Sequence, residues 1–275
     1  MNNSYLPFVE KIQKITIETE DRMLKTLEIS LPLEHREKFD FLPGQFCQLS
    51  VLGKGEAPFG IASSPGEMFL KFTINKIGMV TTAIHQLSPG DEISLRGPLG
   101  NAYPVKEFTG KDLVIIGGGF AFTTLRSLVL SLLENRNQFG NITIIYGART
   151  PGMFLYQKEL AEWKKRNDLD LHLTIDQSQE GWKELVGFVP DIVGTLSPPS
   201  KNAYAVICGP PLMLKLTFPK LLRIGFSAER IFTSLEMKMK CGIGMCGRCN
   251  IGRFYVCKDG PIFSLSQLRS MPQEY

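Results

Sequence analysis

The chain has 275 residues, 43% of them hydrophobic and 21% charged, which argues against disorder and suggests about two domains at the usual ~150 residues each. Its net charge of +4 is too mild to point to nucleic acid, and no apolar run approaches the ~18–20 residues of a membrane span. The first residues, MNNSYLPFVEK, have neither the basic nor the apolar stretch of a signal peptide, so a cytoplasmic protein is expected.

From Phe8 to about Phe108 the pattern is β. The runs FVEKIQKITIE, LKTLEIS, QFCQLSV, FGIASS, MFLKFTI and DEISLRG are short and alternating or apolar, and the turn formers LPGQ, GKGEAP, SPGE and SPGD separate them. One helical stretch, about Val80–Leu87, interrupts them. Strands without long helices between them predict a closed or half-closed antiparallel β-barrel over residues 1–108. Cys47 falls within one of these strands and reads as an ordinary buried thiol.

From about Lys111 strands and helices alternate. DLVIIGGG is an apolar strand running into glycines, and Phe122–Glu134 reads as a helix. NITIIYGA, LDLHLTI and AYAVICGPP are further strands, and LYQKELAEWKKR is an amphipathic helix. PLMLKLTFPKLLRIGF has a helical period that Pro219 interrupts. Such alternation predicts a parallel α/β sheet with helices on both faces over residues 109–234. Residues 235–275 have little periodicity and many Gly and Cys, and read as a small module organised by its ligand.

The most specific signal lies in that last segment. The spacing is Cys241-x4-Cys246-x2-Cys249-x7-Cys257. C-x4-C-x2-C with a later fourth cysteine is the plant-type [2Fe–2S] spacing, in which four thiolates converge on two irons. Gly242, Gly244, Gly247 and Gly252 supply the backbone freedom that wrapping a cluster requires. The final gap is short for that loop, which makes it a variant. A four-cysteine zinc site is the alternative, although zinc ribbons usually offer two C-x-x-C knuckles and this loop has one.

Gly117-Gly118-Gly119 ends the first α/β strand just before a helix, the arrangement that cradles a phosphate. The full G-x-G-x-x-G pattern is absent, because Phe122 stands where the last glycine would be, so the turn alone reads equally as packing. Gly117–Gly119, Tyr146–Arg149, Asp176 and Cys208-Gly209-Pro210 all sit at strand ends, where open α/β sheets bind ligands. Arg149 reads either as a phosphate contact or as a solvated surface cation. A nucleotide-type domain beside an iron–sulfur loop implies redox chemistry. Nicotinamide gives up two electrons at once and the cluster takes one at a time, so a flavin is the expected converter and the leading barrel its host. His35, His85 and His172 stand alone, and no Ser/His/Asp set or carboxylate pair suggests hydrolysis.

These residues resemble the ferredoxin–NADP reductase superfamily over nearly the full length. More closely, they resemble the flavin and iron–sulfur electron-transfer subunits of multi-subunit anaerobic oxidoreductases, namely the gamma subunits of cytosolic hydrogenases, the B subunit of anaerobic sulfite reductase and the electron-transfer subunit of dihydroorotate dehydrogenase. The resemblance rests on PGQF at Pro43–Phe46, GEAPFGIASSP at Gly55–Pro65, GMVTTAIHQLSPGDEISLRGPLGN at Gly78–Asn101, GGGFAFTTLRSL, YGARTP, CGPPLM and KCGIGMCGRCNIGRFYVCKDGPIF at Lys240–Phe263. The short final cysteine gap is most like the hydrogenase and sulfite-reductase type. In two places the chain departs from the superfamily. Ala57, Phe59 and Gly60 occupy the Arg-x-Tyr-Ser/Thr flavin pattern, and Ala121 and Thr124 replace a glycine and a proline of the nicotinamide turn.

The resemblance implies an FAD-binding barrel, a Rossmann-like NAD(P)-binding domain and a [2Fe–2S] module. Pro58, Phe59, Gly60, Ile61, Thr73, Ile74, Asn75, Val80 and Thr81 would surround FAD. Gly118, Gly119, Arg149, Asp176, Cys208, Gly209 and Pro210 would serve NAD(P)H, and Cys241, Cys246, Cys249 and Cys257 would ligate the cluster. The implied activity is an NAD(P)H-dependent oxidoreductase subunit that passes electrons to a catalytic or further iron–sulfur subunit of a redox complex, with no nucleic-acid partner. A dihydroorotate-type electron-transfer subunit and a non-catalytic iron–sulfur adaptor with a degenerate nucleotide domain are the alternatives. Lys238, Lys240, Arg248 and Arg253 flank the cysteines and would steer an acidic partner or serve solubility alone.

Overall fold

The structure is a computed structural model that describes residues 5–31 and 39–272; His35 lies outside them. The N-terminal part is an antiparallel sheet of β1 (Phe8–Ile17), β2 (Leu24–Ser30), β3 (Phe46–Val51), β4 (Gly55–Gly60), β5 (Phe69–Asn75) and β6 (Glu92–Leu99), ordered β4-β3-β6-β1-β2-β5. β1 serves two neighbours. Phe8–Lys11 pair with β6 and Ile12–Ile17 with β2, with an irregularity between Ile12 and Lys14. That switch curls the sheet. The end strands are then bridged just past β4, where the Ala62 N–H donates to the Lys71 carbonyl at 2.8 Å, leaving a half-closed barrel. Its alternating inward residues, among them Leu27, Ile29, Leu49, Phe72 and Leu95, are fully buried. Cys47 lies among them, and burial raises its thiol pKa.

One strand differs from expectation. β4 starts at Gly55, inside what reads as the turn GKGEAP, and stops at Gly60, before the last residues of FGIASS. It is an edge strand, so Pro58 breaks no ladder by lacking an N–H. The helix α1 (Met79–Gln86) follows β5 and buries Ala83 and Ile84.

The second sheet holds β7 (Asp112–Gly118), β8 (Ile142–Ala148), β9 (Asp170–Ile175), β10 (Leu185–Val186), β11 (Ala203–Cys208) and β12 (Ile231–Ser234), all parallel. After β12 the chain forms a small hairpin, β13 (Asn250–Ile251) and β14 (Phe254–Tyr255), and then returns as β15 (Ile262–Ser264), antiparallel to β12. The order is β10-β9-β8-β7-β11-β12-β15. Alternation along β7 sends Leu113 and Ile115 to one face and Val114 and Ile116 to the other. Helices α2 (Phe122–Glu134) and α3 (Gln157–Trp163) cover the first face; α4 (Val189–Leu196) and α5 (Pro211–Ile224) cover the second. Short helices α6 (Val256–Asp259) and α7 (Leu265–Arg269) flank β15.

Two more differences have local causes. VPDIVGTL folds as α4 with Pro190 in its first turn, where a missing N–H costs nothing. α5 runs on through Pro219, whose ring lies on the exposed face, where water can satisfy the carbonyl left free. Among the described residues no helix is long and apolar enough to cross a membrane.

Candidate functional site

Where β4, β5, the β7–α2 turn and the segment after β12 meet, they enclose a cleft of about 240 Å³. The barrel contributes Pro58, Phe59, Gly60, Thr73, Asn75 and Thr81. The α/β sheet contributes Phe120, Thr123 and Thr124, and the approach to the cysteine loop contributes Leu235, Glu236, Met237 and Met239. Six of the nine residues expected around FAD therefore line one space. Ile61 and Ile74 turn their side chains into the barrel core instead. For Ile74 the cause is the strand period, which puts it on the opposite face from Thr73 and Asn75. Val80 packs against the core, beside Gly55. Thr73 is shared between the sheets: its hydroxyl lies 2.7 Å from that of Thr26 and 2.6 Å from the Tyr156 hydroxyl. The Thr81 hydroxyl accepts the N–H groups of Ile77 and Gly78 and fixes the start of α1.

The three glycines of the turn divide by role. A Cβ at Gly117 would lie 2.4 Å from the Phe122 ring, and one at Gly118 would lie 2.4 Å from the Met213 sulfur, so both are packing glycines. Gly119 has φ +55 and open space where its Cβ would be. It leads through a short 3-10 turn into α2. Strands β9, β8, β7 and β11 are contiguous and parallel, so Asp176, Arg149, Gly119 and Cys208 share the rim at their C-terminal ends. Arg149 is exposed and Asp176 half-buried. Gly209 packs on Met213, and Pro210 precedes α5. Cys208 is buried, with its sulfur 3.4 Å from the Tyr103 hydroxyl. Burial raises its pKa, opposed by hydrogen bonds with Thr124 and Tyr103.

In the cysteine loop Gly242, Gly244, Gly247 and Gly252 all have positive φ. The β13–β14 hairpin fills the gap between the third and fourth cysteines and brings Cys257 back beside Cys249. The thiols of Cys241 and Cys246 form a second close pair. Two pairs of thiols match the donor set of a two-iron cluster, one pair to each iron. Among the described residues no three His, Cys, Asp or Glu side chains gather around a single ion position. Backbone donors are aimed at the sulfurs: Gly244 N–H to Cys257 Sγ at 3.1 Å and Met245 N–H to Cys241 Sγ at 3.3 Å. Burial raises the Cys241 pKa, but donors from Ile243, Met245 and Cys246 outweigh it and hold the thiol at about 6. Burial and the neighbouring Cys249 push Cys257 up to about 12. Cys249 and Cys257 belong to an apolar core with Phe46, Met239, Ile251 and Phe263, whereas Cys246 and Met245 are exposed. Lys238, Lys240, Arg248 and Arg253, which flank these residues in the sequence, are also exposed.

Sequence reasoning missed Thr124, Tyr103 and Glu236. Thr124 faces Gly60 across the cleft, with its methyl 3.0 Å from where a Cβ at Gly60 would stand. Its place in the nicotinamide turn was the available signal. Glu236 is exposed at the edge of the cleft, where partial desolvation by the neighbouring walls raises its pKa. An acid in an otherwise apolar SLEM run was its only mark.

The oxidoreductase NAD-binding domain family matches residues 115–218, and the iron–sulfur cluster binding domain of dihydroorotate dehydrogenase B matches residues 236–269. The chain is 40% identical over 279 residues to sulfhydrogenase 1 subunit gamma of Pyrococcus furiosus, covering 98% of this chain and 95% of that protein. It is 35% identical over 237 residues to the probable dihydroorotate dehydrogenase B (NAD(+)) electron transfer subunit of Pyrococcus abyssi, covering 85% and 83% respectively. A solved structure of NADH-dependent reduced ferredoxin–NADP oxidoreductase superposes with a TM-score of 0.76 at 26% identity, over 97% of this chain and 90% of that one.

Proposed function

The chain belongs to the family of flavin and iron–sulfur electron-transfer subunits that includes the sulfhydrogenase gamma subunit and the electron-transfer subunit of dihydroorotate dehydrogenase B, and on that premise we propose that it carries electrons between NAD(P)H and a partner subunit by way of FAD and a [2Fe–2S] cluster. The observation that carries this reading is the cleft, where the barrel segments expected to hold FAD, Phe120 with the start of α2, and the approach to the cysteine loop meet.

In this reading residues 1–108 hold FAD, residues 109–234 hold the nicotinamide and residues 235–275 hold the cluster. Pro58, Phe59, Gly60, Thr73 and Asn75, which line the cleft, would hold the flavin. The N-terminus of α1 at Val80 and Thr81 would offer first-turn N–H groups to the diphosphate. Gly119, with open space where a Cβ would stand, together with Cys208 and Arg149 on the same rim, would hold the nicotinamide dinucleotide. Cys241 with Cys246, and Cys249 with Cys257, would ligate the cluster. A bound flavin supplies the exchange between the paired electrons of nicotinamide and the single electrons of a cluster. The residues of the chain hold the rings in place, exclude water and tune charge, and none is required as a general acid or base.

The sulfhydrogenase relative is matched over more of the chain than the dihydroorotate relative, which favours a hydrogenase-type or sulfur-reductase-type partner. The terminal chemistry is assigned to that partner, and the protein to the cytoplasm, where its six thiols stay reduced. The test is anaerobic purification with iron, zinc and flavin analysis, followed by addition of NADH and NADPH in turn. About two irons and one flavin per chain, bleached by either nucleotide, are expected. Zinc in place of iron would overturn the relay. Iron and flavin without bleaching would favour the adaptor reading.

A further inference from the structure

Two side chains of the barrel reach across to the backbone of the cysteine loop. Gln48 on β3 and Arg96 on β6 are cross-strand partners. They take consecutive carbonyls: Gln48 Nε2 donates to the Lys240 carbonyl at 3.3 Å, and Arg96 Nη2 to the Cys241 carbonyl at 3.0 Å. Gly242 then lies so close to the barrel that a Cβ would stand 2.7 Å from Leu99 Cδ1. Arg96 is 5% exposed and is also forked onto Glu56, with Nε to Oε1 and Nη2 to Oε2 both at 2.7 Å. Glu56 lies on β4, two residues before Pro58 of the cleft.

This arrangement costs more than anchoring a loop requires. A neutral donor such as Gln48 satisfies a carbonyl, whereas a nearly buried guanidinium needs a carboxylate of its own to be tolerated. The guanidinium stays charged at any working pH and lies within electrostatic reach of the Cys241 thiolate. A cluster's potential follows local charge, hydrogen bonding and exposure. A cation at this point favours the more negative, reduced cluster, and an anion opposes it. We propose that the Arg96–Glu56 pair is a positioning and tuning device for the cluster, in which Arg96 holds the Cys241 backbone and raises the reduction potential while Glu56 fixes the fork and tempers its charge. This rests on the reading that the loop carries a [2Fe–2S] cluster.

The test uses the full chain, purified anaerobically, as wild type, Arg96→Gln, Arg96→Lys and Glu56→Gln. Iron is counted, and the cluster midpoint is read by an EPR-monitored redox titration. Removing Glu56 is expected to move the midpoint positive and Arg96→Gln to move it negative, with Arg96→Lys between Arg96→Gln and wild type. A merely structural pair would shift both substitutions the same way or neither, and that result overturns the proposal. If Arg96→Gln loses iron, Glu56→Gln decides alone, and an unmoved or negative midpoint overturns it. A wild type with no iron signal refutes the cluster reading instead, a separate outcome.

Discussion

Arg126 forks onto Glu67, its Nη1 and Nη2 donating to the two carboxylate oxygens at 2.8 and 3.1 Å across the join between barrel and parallel sheet. The guanidinium is 1% exposed, also donates to the Ala62 carbonyl at 2.6 Å, and meets Glu159 of α3 with its Nε at 2.8 Å. Removing it leaves two carboxylates and a carbonyl around an empty centre. Arg126→Met is expected to cost about 3–5 kcal/mol, seen as a lower denaturation midpoint. An unchanged midpoint would sink this account of how the sheets are joined.

The same pair predicts an acid limit. Burial works against ionisation of Glu67, but hydrogen bonds and charge from Arg126 and Lys71 outweigh it and hold its pKa below the ordinary value. A depressed carboxyl contributes stability that is fully present above its unfolded pKa of about 4.3. That stability is lost as pH falls through the folded pKa. Wild type is therefore expected to lose stability steeply below about pH 4.3, and Glu67→Gln to show a shallower slope there. Equal slopes in urea titrations at several pH values would contradict it.

Gly60 and Thr124 come within contact distance across the cleft. Gly60→Val should wedge the walls apart. Misplacing two reacting rings by about 1 Å typically costs about 10²-fold, so flavin reduction by NAD(P)H should slow on that order in stopped-flow absorbance while iron content holds. Unchanged reduction would remove the cleft from the electron path.

The cysteines should separate by burial. Cys246 is exposed, and Cys249 is 1% exposed within the module's core. Both Cys246→Ser and Cys249→Ser are expected to lose the cluster. Only Cys249→Ser should also destabilise the cluster-free chain, by roughly 1–3 kcal/mol for a buried hydroxyl. Full iron in either variant would remove that residue from the ligand set.

Lys238, Lys240, Arg248 and Arg253 flank the cysteines in the sequence and, like Cys246, are exposed. Replacing all four by alanine should slow reduction of the partner subunit several-fold at low salt and converge with wild type at high salt, where charges are screened. Rates equal to wild type at low salt would reduce these residues to solubility.

Much of this architecture is legible in the residues. Near-continuous apolar runs such as DLVIIG and NITIIYGA fold as β7 and β8, because strands of a parallel sheet are buried on both faces. The cysteine spacing and its four glycines are legible for a similar reason, since local geometry dictates them. Where burial or pairing depends on distant chain, the reading fails. β4 hides in turn-forming residues because its Pro58 sits on an edge, and Ile74 reads as a site residue until its register with Lys25 is known. Arg96 and Glu56 are 40 positions apart and carry no local pattern. Glu236 gains its setting only when three parts of the chain meet at the cleft.

The return of the chain as β15 has a topological consequence. Ser234 pairs with Ile262, and the Leu235 N–H donates to the Pro261 carbonyl at 2.9 Å, so the cysteine segment leaves and rejoins one sheet edge at adjacent points. It is a detour rather than a tail. Both of its ends are staked by strand pairing rather than by the cysteines. The distance between the cluster and the cleft is thereby inherited from the rigidity of a strand pair, and electron transfer does not have to wait for a tethered domain to swing into place.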